Sequence, residues 1–266
     1  MKKLRSIPFL DYIILAAVML GALYLTIGPG GDSGGSPAPA GDIQTTTLAS
    51  QAGGSDLAGA ATPSVQEQTT ATSIPVMVPV RGKKKLLSLD CEARSAVDWA
   101  AYYDAFLEEM DFQSRLPKAP FPDDGFVGNP YDDWGHVPPE SYGVHAGPVA
   151  GVLRQYGLKA YPYRNLTWAD LQRELDAGHP VIAWVVGKTQ DLGGAQTYTA
   201  PDGQETVVAP YEHTVILAGY QGDEIIIVDG AQVYGRPKDT FLASWGVLGN
   251  MAILANATPN PEAEPL

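Results

Sequence analysis

Leu89-Asp90-Cys91-Glu92-Ala93-Arg94-Ser95-Ala96-Val97-Asp98-Trp99-Ala100-Ala101-Tyr102-Tyr103 is the stretch on which the reading of this chain turns. Ala93, Ala96, Val97, Ala100 and Tyr103 recur three or four residues apart, the spacing that lines one face of a helix. Cys91 then falls in or just before the first helical turn. It is the only cysteine in 266 residues. A lone thiol is commonly a small buried apolar group. At a helix N-terminus, however, the unsatisfied amides and the macrodipole favour the thiolate. A free thiol of pKa about 8.5 is only about 3% ionised at pH 7, and depression into the range of about 3.5–7.5 makes a competent nucleophile. The first-turn amides of such a helix also suit a developing oxyanion, so Cys91 is both the candidate nucleophile and an oxyanion candidate.

A nucleophile needs a base, and the sequence downstream offers one in a recognisable setting. Residues 212–220 and 224–228 are apolar, β-rich runs joined by Gln221-Gly222-Asp223, which reads as a hairpin. Folding it about a midpoint at residue 221 sets His213 opposite Asp229, where a carboxylate can fix the imidazole tautomer and stabilise its charged form. His136, His145 and His179 lie in a Pro-rich loop, before a helix and in a turn, and read as structural or solvent-facing.

Between the two segments the pattern predicts a loop over 112–144, long enough to be functional. It then predicts a helix over 146–156 closed by Gly157, a strand over 158–163, and a helix opened by the Thr167–Asp170 capping pattern. A buried strand over 180–186, a hairpin with arms 197–200 and 205–209, a short helix over 240–245 and a strand over 251–254 complete it. An extended edge segment over 74–80, broken by prolines, precedes Cys91. Helices come first and an antiparallel sheet later, which is an α+β order.

Outside this region the composition changes. Lys2, Lys3 and Arg5 precede an apolar run over 12–27, short of the roughly 20 residues of an upright span unless residues 7–11 contribute. Residues 1–27 are expected to be an uncleaved signal anchor or transmembrane helix, a cleaved signal peptide being the alternative. The positive-inside rule keeps the N-terminus cytoplasmic and exports the rest, giving a single-pass protein of the cell membrane. Residues 28–74, rich in Gly, Ser, Thr, Ala and Pro, are expected to be a disordered spacer, and 256–266 a disordered tail, around a folded domain over 75–255. A net charge of −13, with no basic stripe in the folded region, argues against nucleic acid.

The segments quoted, together with Gly125-Phe126-Val127-Gly128, Ser141-Tyr142-Gly143-Val144, Gly178-His179-Pro180-Val181, Glu212-His213-Thr214-Val215 and Val228-Asp229-Gly230, resemble exported bacterial relatives of the bacteriocin-processing, double-glycine-leader peptidases. The resemblance covers about residues 75–255. It implies a papain-like cysteine peptidase fold, with Cys91 as nucleophile, His213 as general base and acid, and Asp229 as orienting group. It also implies an oxyanion-donating Gln six residues before the cysteine, where this chain has Lys85, and a Gly after it, where this chain has Glu92. Losing a neutral donor there costs about 10²–10³ in rate unless Lys85 substitutes.

The expected function is hydrolysis of a peptide or isopeptide bond in a peptide or protein substrate through a Cys91 thioester. Alternatives are a catalytically lapsed module that binds peptide or cell-wall material, a transglutaminase-like or Asp-Cys-Ser-Gly-type cell-wall enzyme, and a merely structural Cys and His–Asp pair. No ligand spacing for a metal and no phosphate cradle is evident, so no cofactor is expected.

Overall fold

The computed structural model describes residues 74–190 and 193–266. The expected membrane segment and the spacer up to residue 73 lie outside the described residues, and among these no helix is long and apolar enough to cross a membrane.

The helix read from the opening stretch forms as α1, Cys91–Tyr102. Its environment differs from the amphipathic expectation, because every residue from Cys91 to Ala100 is buried, including Glu92, Arg94, Ser95 and Asp98. Burying charges requires partners. Arg94 supplies them, donating to both Asp98 oxygens and to Glu109 at 2.6–2.9 Å. Glu109 opens α2, Glu109–Arg115, a short helix that the sequence pattern did not reveal, so the long loop starts only after it.

The remaining helices are α3, Ala146–Gln155, α4, Trp168–Asp176, and α5, Lys238–Gly246. α4 starts as its sequence pattern requires, since the Asp170 carboxylate accepts the Thr167 N–H at 2.8 Å.

Among the described residues ten strands follow in chain order: β1 Val76–Met77, β2 Tyr161–Arg164, β3 Val181–Val186, β4 Gln196–Thr199, β5 Glu205–Val208, β6 Glu212–Gln221, β7 Glu224–Asp229, β8 Gln232–Pro237, β9 Ala252–Leu254 and β10 Glu264–Pro265. Eight of them form one antiparallel sheet in the order β10-β2-β9-β3-β6-β7-β8, with β1 also on β6, while β4 and β5 pair as a separate hairpin. β3 is buried at all six positions, as a strand covered on both faces must be. α1 packs on this centre. Trp99 Nε1 donates to Pro180 O at 2.7 Å and Ser95 Oγ to Thr214 O at 3.2 Å, fixing the helix across the starts of β3 and β6. Trp99, Trp184, Trp245 and Phe241 fill the core.

Two expectations change. The tail over 256–266 is not a loose end: β10 pairs with β2, Leu266 N–H donates to Pro162 O, and the Asn260 side chain donates to Asp170 at 2.6 Å. Backbone groups paired in this way are what an unstructured tail lacks. The hairpin register also differs. Gln221 faces Glu224, a bulge follows between Leu217 and Gly219, and Val228 faces Ile216. Asp229 therefore lies two residues away from the position opposite His213, because the turn is centred later than residue 221. A two-residue shift preserves the face on which side chains point.

Candidate active site

The loop before α1 and the ends of β6 and β7 meet at one place. Asp90 makes no side-chain cap on α1; its Oδ2 instead accepts the Leu86 and Leu87 N–H groups at 3.0 and 2.6 Å. Glu109 accepts a second bond from Leu86 N–H at 3.2 Å. These bonds fold residues 85–88 back beside Cys91. Burial first, then the Glu109 carboxyl beside it, push the Asp90 carboxyl up to about 7. Just upstream, Gly82 packs so closely on Gly230 and Val228 that a Cβ would strike them, which brings the loop against the end of β7.

A cavity of about 440 Å³ opens there, lined by Cys91, His213, Asp229, Lys85, Trp134 and Lys188 among others. His213 Nε2 and Asp229 Oδ1 are 2.9 Å apart. Same-face side chains two positions out of register remain within reach across an antiparallel pair, so the bond survives the shifted hairpin. Tyr234 on β8 donates to the other Asp229 oxygen at 3.2 Å. Burial works against the Asp229 carboxylate, but the His213 hydrogen bond and charge, Tyr234 and the Lys85 ammonium outweigh it and hold its pKa below the usual value. Trp134, from the long loop, sets its ring edge-on to His213 at 5.9 Å and donates its Nε1–H to Glu212 O at 2.7 Å. Nδ1 is then the His213 nitrogen with no hydrogen-bond partner among the described residues, and it is the one available to a thiol.

Cys91 itself departs from expectation. Its thiol donates to Glu92 Oε2 at 3.2 Å, and it is buried. Desolvation, followed by the Glu92 and Glu212 carboxyls, pushes the thiol well above its ordinary value despite Lys85. The helix-terminal preference for thiolate is thus overridden by two acids that sequence spacing does not place beside the cysteine. Glu92 is fixed by the Val144 N–H at 2.7 Å, and Gly143 permits this, since a Cβ there at φ +127° would strike the Glu92 carboxyl. Lys85 lines the cavity, its Nζ donating to Ser88 O at 2.6 Å, so the residue at the oxyanion position is present but tethered.

The other histidines lie elsewhere. His145 is buried between Asp123 and Tyr142, His179 contacts Glu174 and Asn256, and His136 pairs with Glu140 at the surface. Although the sequence shows no ligand spacing, the fold does gather Cys91, Glu92 and Glu212, whose ligand atoms all lie within 4.8 Å of one another.

The model of the Peptidase_C39 like family matches residues 91–253, the stretch that carries the helix-borne Cys91 and the sheet-borne His213 and Asp229. The chain belongs to that family. The fold is papain-like, an antiparallel sheet with the cysteine-bearing helix packed on it. The chain is similar to a putative C39-like peptidase from Bacillus anthracis, with a TM-score of 0.60 and 23% identity over 70% of this chain and 100% of that one. It is less similar to a double-glycine-motif protease of an AMS/PCAT transporter solved with its leader peptide (TM-score 0.41, 18% identity, 72% of this chain and 98% of that one). The peptidase domain of Streptococcus ComA gives a TM-score of 0.43 at 16% identity, over 67% of this chain and 99% of that one. Curated proteins described as a "probable cysteine desulfurase" of Staphylococcus epidermidis and a cysteine desulfurase of Haloferax volcanii match at 34% identity over 75 and 82 residues. These matches span 28% and 31% of this chain but only 16% and 18% of theirs, and assign no activity.

Proposed function

We propose that this protein is a cysteine peptidase that hydrolyses a peptide or isopeptide bond through a thioester on Cys91. The observation that carries the reading is His213, bonded to Asp229 through Nε2 with Nδ1 free, on the wall of the cavity that Cys91 shares. The Cys91 thiol turns from Glu92 to His213, gives its proton to Nδ1, and Sγ attacks the substrate carbonyl carbon. The oxyanion is held by the first amides of α1 and by the Lys85 ammonium. The imidazolium returns the proton to the departing amine as the C–N bond breaks. Water then attacks the thioester, loses a proton to His213 and regenerates the thiol. Asp229 keeps the imidazole oriented and stabilises its charged form throughout.

Residues 1–27 would tether this domain outside the cytoplasmic membrane, a reading supported by the basic start and the apolar run that follows. Finding mature protein that begins after residue 28 would remove the tether from the account. One observation favours a second reading, a lapsed module that only binds peptide: the resting thiol is bonded to Glu92. Screening the full chain against peptide libraries separates the two. Turnover that disappears in Cys91→Ala supports the peptidase; saturable binding, equal in both proteins and without cleavage, supports the module.

A further inference from the structure

The Glu212 carboxyl is 2% exposed as a residue, and neither of its oxygens has a hydrogen-bond partner. Leaving a carboxylate dry and unpaired is among the costliest things a fold can do. Beside it lies another acid, Glu92, itself fully buried and held by Val144 N–H and the Cys91 thiol. Gly143 lets both carboxyls pack against its bare Cα, where a Cβ would strike Glu92 and crowd Glu212. Three metal-ligating groups thus converge, with the Glu212 carboxyl unpartnered. A cation would satisfy all three.

We propose that Cys91, Glu92 and Glu212 form a binding site for a divalent transition-metal ion of the zinc type. The donor set selects among ions. A thiolate with two carboxylates suits a borderline ion such as Zn²⁺, whereas Ca²⁺ and Mg²⁺ need six or more oxygen ligands, which this pocket does not offer. Tetrahedral zinc with metal–ligand distances of about 2.0–2.3 Å sets its ligand atoms about 3.3–3.8 Å apart, so donors within 4.8 Å of one another close on the ion by an ångström or less each. Cys91 is the member that lines the cavity, so the ion enters from there and its fourth position holds water. Binding replaces the thiol proton, which leaves to solvent, with a Zn–S bond. The nucleophile is then occupied, and metal holds hydrolysis off reversibly. That last consequence rests on the peptidase reading above; the site itself does not.

The test uses the full chain, stripped with chelator and titrated with Co²⁺ as a spectroscopic probe and with Zn²⁺ as its competitor. Wild-type protein is expected to take up one equivalent of Co²⁺ with a sulfur-to-metal charge-transfer band that one equivalent of Zn²⁺ abolishes. Cys91→Ala should lose the band, Glu212→Gln and Glu92→Gln should each weaken affinity at least tenfold, and His213→Ala should bind as wild type does. Absence of the band in wild type, affinity unaffected by both Gln variants, or loss of affinity in His213→Ala would overturn the site. Hydrolysis measured in chelator separates the two claims: cleavage without metal binding removes only the site, and metal binding without cleavage removes only the peptidase.

Discussion

Among the described residues two buried histidines each pair with an aspartate, and the surroundings of the two pairs differ more than their geometry. His145 Nδ1 meets Asp123 at 2.7 Å and His213 Nε2 meets Asp229 at 2.9 Å. His145 is fully enclosed, its second nitrogen bonded to the Tyr142 hydroxyl at 3.2 Å and its aspartate also bonded by Arg164. Desolvation first lowers its affinity for a proton, and Asp123 only partly restores it. His213 keeps a free nitrogen and 7% exposure on a cavity that also holds the one thiol among the described residues. A hydrogen-bonded imidazole becomes a catalytic base only when its other nitrogen is left unspent and reachable.

Substitutions that act on one pair and spare the other break or sharpen this contrast. The largest effect is expected from His213→Ala, which should lower turnover by about 10²–10⁴ while leaving the thermal midpoint within a few degrees of wild type; steady-state kinetics with calorimetry checks both. Lys85→Ala should cost up to about 10²–10³ in kcat if its ammonium holds the oxyanion, whereas Lys85→Gln, which places a neutral donor there, should retain activity. A kinetic comparison of the two variants decides whether charge or position matters at residue 85.

His145→Ala should do the reverse of His213→Ala. It removes one buried hydrogen-bond partner from Asp123, which keeps Arg164, and one from the Tyr142 hydroxyl, and should destabilise the fold by about 1–3 kcal/mol in denaturant unfolding, with unchanged turnover per folded molecule. The smallest effect concerns acid. The folded Asp229 pKa is depressed, so the stability it contributes is present above its unfolded value of about 3.9 and is lost as pH falls through the lower folded value. Melting curves between about pH 2 and 5 should show this loss in wild type and a shallower one in Asp229→Asn.

What the sequence disclosed and what it hid follow from the range of the signals involved. α1 and the β6–β7 hairpin are local patterns, and both form. The turn is centred later than residue 221, and the bulge between Leu217 and Gly219 takes back one residue of that shift, so the register ends two residues from the expected one with His213 and Asp229 still on the same face. β8 was missed because Gln232-Val233-Tyr234-Gly235-Arg236-Pro237 carries Gly and Pro, tolerated there only because the strand is at the sheet edge. β10 is two residues long and exists through its pairing with β2. The acidic side of Cys91 was illegible for a different reason. Glu92 was visible as the residue replacing a family glycine, but Glu212 reaches it across about 120 residues of chain, a contact that only the packing of α1 on β6 creates.

The central claim is that Cys91 and His213 work as a pair. Alkylation of Cys91 by iodoacetamide at neutral pH in chelator, followed by mass spectrometry in wild type, His213→Ala and His145→Ala, tests it without knowledge of the substrate. The account predicts labelling that slows at least tenfold in His213→Ala and is unchanged in His145→Ala. Equal rates in wild type and His213→Ala would contradict it.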